Sequence, residues 1–77
     1  MAVADKLNEL RIKANLIADQ TVGLMEINVD VHDGVAVLQG EVESEEQKQM
    51  AEDIAYEVEG IVEVVNDLKV APRDNME

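Results

Sequence analysis

The chain has 77 residues, 47% of them apolar, and a formal net charge of −12 from eighteen acidic and six basic residues. That length makes one domain, which buries only about 60% of its unfolded surface and leaves no room for a cofactor-sized cavity. The acidity opposes contact with nucleic-acid phosphates and anionic lipid, and the lack of cysteine removes disulfides, thiolate metal sites and cysteine nucleophiles.

In chain order, Val3, Leu7, Leu10, Ala14 and Ile17 follow helical spacing, with Ile12 and Leu16 in a second row beside them. This predicts an amphipathic helix from Val3 to Ala18, capped by Asp5 or Asn8 and ended by the run Thr21 to Gly23. From Ile27 to Val42 the apolar residues alternate around Asp33-Gly34, the strongest short-range signal of a β-hairpin. A type I′ turn there opposes His32 to Val35, Val31 to Ala36, Val29 to Leu38 and Ile27 to Gly40. One face then carries Ile27, Val29, Val31, Ala36, Leu38 and Val42, with Gly40 leaving room for a helix to approach.

After Val42 the period changes to 3.6, and Ser44 with Gln47 forms a capping box ahead of a second helix. Gln47, Ala51, Ile54, Ala55 and Val58 line its inner face, and Gly60 is the expected stop. Glu45, Glu52, Asp53, Tyr56, Glu57 and Glu59 form an acidic outer side. Ile61 to Val70 is a third strand with Val64, Asn66, Leu68 and Val70 on one side; Asn66 interrupts that face and is expected to hydrogen-bond a loop or a helix end. Residues 72–77, beginning at Pro72, are expected to form a flexible tail to a domain spanning 1–71. The fold class is α+β, in the order α-β-β-α-β, a three-stranded sheet with two helices on one face. The uniformly apolar second strand favours the sheet centre, with the third strand parallel beside it.

These residues together resemble the BON domain, a bacterial module named for osmotically induced and nodulation-related proteins. The resemblance runs from Leu7 to Val70 through Ile12, Leu16 and Asp19, then Ile27, Val29, Val31 and Gly34. It continues through Leu38, Gly40, Val42, Ser44, Glu46, Ala51 and Ala55, and closes on Gly60, Ile61, Val64, Asn66, Leu68 and Val70. It implies a non-enzymatic module found in envelope or stress-associated proteins, proposed to contact phospholipid, envelope surfaces or partner proteins, with no cofactor. Gly34, Gly40 and Gly60 match family positions with structural duties.

Several other chemistries are set aside on their residues. A calcium loop with Gly34 at its sixth place would put Val29 and Val31 where carboxylates are needed and Gly40 where the closing Glu belongs, so only a looser pairing of Asp30 with His32 is left. The adjacent carboxylates Glu45-Glu46 and Glu52-Asp53 sit on the polar side of a helix, away from any cleft that would split their acidities for acid-base work. No basic face, stacking aromatics or Gly-x-x-Gly loop suits RNA, and the hairpin before Ser44 argues against an acyl carrier. No membrane span of roughly 20 apolar residues and no signal peptide is visible, so the chain as written is expected in the cytoplasm, or in the periplasm if it is a piece of a secreted protein.

Two classes of function follow. One is an interaction module whose partner docks on the sheet face away from the helices, at Asn28, Asp30, His32, Val35, Val37, Gln39 and Glu41. The other is a structural unit of a larger stress-related protein with no ligand of its own.

Overall fold

The computed structural model describes residues 3–23 and 25–71, Val3 by its backbone alone; the tail expected over 72–77 lies outside them. Helix α1 (Val3–Ala18) leads to strand β1 (Ile27–His32), strand β2 (Val35–Val42), helix α2 (Glu45–Tyr56) and strand β3 (Glu63–Val70). The sheet order is β1-β2-β3, β1 antiparallel and β3 parallel to the central β2. The fold class, the α-β-β-α-β order and the central position of the most apolar strand are as the residue pattern predicts.

The hairpin forms in the register its turn demands: His32 pairs with Val35, Val31 with Ala36, Val29 with Leu38 and Ile27 with Gly40. Asp33 (φ 52°) and Gly34 (φ 81°) both take the left-handed conformation of a type I′ turn. The inward residues Val29, Val31, Ala36, Leu38 and Val42 are buried, and they meet Ile12 and Leu16 of α1, Ala51, Ile54 and Ala55 of α2, and Val64 and Leu68 of β3. Ile12, Leu38, Val22 and Val42 are the largest fully buried side chains. Each contributes about 1.5–3 kcal/mol of hydrophobic stabilisation, so a core without Phe or Trp still closes.

Helix α2 starts as a capped helix should. Gln47 N donates to Ser44 Oγ at 3.1 Å, while Gln47 Oε1 accepts from Glu43 N at 2.6 Å. It ends at Tyr56, four residues before Gly60. The chain tightens there into i to i+3 bonds, with Glu57 N donating to Ile54 O and Val58 N to Ala55 O, and this turn drops Val58 into the core.

Helix α1 departs from its expected orientation. Leu7 (46% exposed), Leu10 (52%) and Ile17 (73%) face outward with Ala14, while the buried row is Asp5, Asn8, Ile12 and Leu16. At 3.6 residues per turn the two rows point about 180° apart, so Ile12 and Leu16 lie opposite the expected stripe and not beside it. One hydrogen bond and one close packing lie on the buried side. Among the described residues Asp5 caps no amide of its own helix; its Oδ2 accepts from Asp33 N at 3.0 Å and ties the first turn of α1 to the hairpin tip. Asn8 is buried where a Cβ on Gly60 would lie 2.8 Å from its Nδ2. At the other end, Asp19 Oδ1 accepts from Thr21 N (2.7 Å) and Val22 N (3.1 Å), turning the chain out of the helix.

Gly40 also has a different neighbour from the one expected. It faces inward with Leu38 and Val42, but a Cβ there would fall onto the carbonyl oxygen of Glu26, so the close approach is the entry of β1 and not a helix.

Candidate functional site

With both helices on one side, the other side of the sheet is open. Asn28, Asp30 and His32 of β1 are exposed on it, as are Gln39 and Glu41 of β2, and Val35 and Val37 are half-buried. The register extends this face onto β3. Val37 lies between Asp30 and Val65, Val35 between His32 and Glu63, and Gln39 between Asn28 and Asp67, with Glu41 opposite Lys69. Val35, Val37 and Val65 therefore form one apolar strip within a mainly acidic rim, and Val65 is 42% exposed. Glu63, Val65, Asp67 and Lys69 complete the face; Val65, Asp67 and Lys69 stand on the side of β3 that the strand's alternation predicts, and the parallel register sets which β2 residue each one meets.

His32 reaches Asp33, not Asp30. Its Nε2 is 3.5 Å from Asp33 Oδ2, and both side chains are more than 80% exposed. Among the described residues, no three His, Asp or Glu side chains converge as a metal site would require.

Asn66 joins the sheet to α2. Asn66 Nδ2 donates to Lys48 O at 2.8 Å and to Glu52 Oε1 at 3.1 Å, inside α2 and not at a loop or helix end. Its Oδ1 accepts from Leu68 N at 3.3 Å. Glu52 is thereby drawn into the helix-sheet contact. Its neighbour Asp53 accepts from Gln49 Nε2 at 3.1 Å, so this carboxylate pair is divided between two unrelated bonds. Tyr56, expected in the acidic outer side, lays its hydroxyl against β3, where it accepts from Val64 N at 3.3 Å.

A second surface is the outer side of α1. Lys6 and Lys13 flank its exposed leucines on one side and Arg11 on the other. Both lysines lean on Glu9, Lys13 at 3.0 Å and Lys6 at 3.7 Å. The Lys13 hydrogen bond leads in holding the Glu9 carboxyl below its ordinary value, against a smaller opposing effect of burial. Between the C-terminal end of α1 and the start of β1 runs an open groove of about 800 Å³, lined by Lys13, Leu16, Ile17, Met25, Ile27 and Gly40 among others. No described helix is long and apolar enough to cross a membrane.

Known proteins share this pattern. The family model of the BON domain matches residues 4–72. The chain is similar to Osmotically-inducible protein Y of Escherichia coli (strain K12), at 43% identity over 65 residues. That alignment covers 84% of this chain and 32% of the relative, so the chain spans about a third of that protein's length.

Proposed function

The chain belongs to the BON domain family, and on that premise we propose that it is a non-catalytic interaction module of an osmotic-stress protein, binding a protein partner through the open sheet face. The assignment to osmotic stress is supported by the name of its relative. The sheet-face reading is carried by one observation: Val37 and Val65 stand side by side in register, with Val35 next to them, on a face that no described helix covers. An apolar strip framed by polar groups has the layout of a small interface, with a desolvated centre and a wet rim. The partner is a protein because the charge of −12 works against anionic lipid, whose repulsion acts over a Debye length of about 8 Å at physiological salt.

The test is site-specific photo-crosslinking in osmotically stressed cells, with the reactive residue placed at Val37, Val65 or, as a control, Asp53. A discrete protein adduct from positions 37 and 65 is the expected result. Adducts from position 53 alone would move the interface to α2, lipid adducts would replace the protein partner, and none at any position would leave a structural unit without a ligand. Co-sedimentation with neutral and anionic vesicles should leave the domain in the supernatant.

A further inference from the structure

Helix α1 presents an apolar row to solvent on the side opposite the core. Leu7, Leu10, Ala14 and Ile17 recur at steps of three, four and three, the 3.5-residue repeat of a coiled-coil seam with Leu7 and Ala14 at a and Leu10 and Ile17 at d. In that frame Lys6 and Lys13 fall at g and Arg11 at e, the positions that set partner choice across a seam. Helix α1 holds three of the chain's six basic residues and two of its eighteen acidic ones, a net charge of +1 in a chain that totals −12. Among the described residues Arg11 has no ion-pair partner, and Lys6 and Lys13 share the single carboxylate of Glu9.

We propose that the outer face of α1 docks an amphipathic helix with its own apolar a/d seam and acidic e and g positions, supplied by another chain or by another domain of a longer protein. This is independent of the sheet-face reading. Charge selects the occupant. A second copy's α1 would set lysine and arginine against lysine and arginine, which destabilises such a pair. A second copy's α2 offers acid, but its exposed row of Glu46, Gln49, Asp53 and Tyr56 has no apolar seam. A membrane surface suits a wide apolar face on a helix free to lie flat; here the seam is narrow and rigidly joined to an acidic body. An acidic-flanked helix satisfies both the leucines and the cations.

The probe is a synthetic three-heptad helix with leucine at a and d and glutamate at e and g, whose own glutamates keep it from self-pairing. Its twin carries lysine at e and g. Each is titrated into the isotope-labelled domain and followed by amide shifts. Expected are shifts centred on Leu7, Leu10, Ala14 and Ile17, weakened by added salt, with the lysine twin binding about tenfold less tightly or worse. Leu10→Glu, at a residue already 52% exposed, should keep the native spectrum and lose the binding. Equal binding of the two peptides, or shifts on the sheet face alone, would overturn the proposal. So would concentration-dependent α1 shifts in the domain by itself, which mean a second copy. Stronger α1 shifts with phosphatidylglycerol-containing vesicles than with the acidic peptide would give the face to a membrane.

Discussion

Replacing Gly40 by Ala adds a single methyl to the sheet and should be among the most damaging small changes in this protein. Gly40 has φ +130°, well beyond the left-handed well near +57° that side-chain-bearing residues visit. Holding alanine there costs about 1–3 kcal/mol. The methyl also lands on the Glu26 carbonyl, so β1 must move away at Ile27, the residue paired with Gly40. Losing or stretching one ladder hydrogen bond adds about 1 kcal/mol. The total of roughly 2–4 kcal/mol compares with a whole-domain stability of about 4–12 kcal/mol expected at this length. For a domain of this size each kcal/mol moves the melting temperature by about 4–8 °C, which predicts a fall of at least about 8 °C, read by circular dichroism with urea midpoints in parallel. Gly34→Ala is the internal standard. Its φ of +81° is nearer the left-handed well and its Cβ would sit 3.0 Å from Gly60 O, so it should cost only about 1 kcal/mol. If Gly40→Ala melts within about 3 °C of the parent, or no worse than Gly34→Ala, the contact with Glu26 is not what makes the glycine necessary.

Three further outcomes are expected. Asp5→Ala should destabilise by about 1–2 kcal/mol, since it leaves Asp33 N without its charged acceptor, and Asp5→Asn should recover part of that; chemical denaturation measures both. Ile12→Ala should cost about 2–5 kcal/mol and Leu10→Ala no more than about 0.5 kcal/mol, and a reversed order would restore the outward row of α1 to the core. The Glu9 carboxyl should titrate below the ordinary glutamate range by NMR, and Lys13→Ala should move it back up. Because the folded value is depressed, Glu9's contribution to stability is present above its unfolded value and is lost as the pH falls through the folded one.

The hairpin and α2 were legible because their signals are local: period-two alternation around Asp33-Gly34, and a cap at Ser44 three residues before Gln47. The seven sheet-face positions on β1 and β2 came with that register, since fixing the turn fixes which side every strand residue takes. Helix α1 was misread for the opposite reason. Its docking side carries Asp5, bonded to the Asp33 amide 28 positions away, and Asn8, buried against Gly60. Hydrophobic periodicity gives no weight to such residues, and it assigned the core to the row with more leucine. Mistaking that row for core also hid it as a surface. Gly40 is a mixed case, since its inward position followed from the register while its contact with the Glu26 backbone required the three-dimensional path of the loop before β1.

Tyr56 and Asn66 have a consequence for how this protein behaves when concentrated. A strand at the margin of a sheet normally offers bare amide protons on which another chain can build. In β3 the amide of Val64 already donates to the Tyr56 hydroxyl and that of Leu68 to the Asn66 side chain, with Glu63, Asp67 and Lys69 adding charge along the same strand. An incoming strand must first displace both side chains, one of them anchored to the α2 carbonyl of Lys48. At these two positions β3 therefore resists the addition of a further strand, although the sheet ends there.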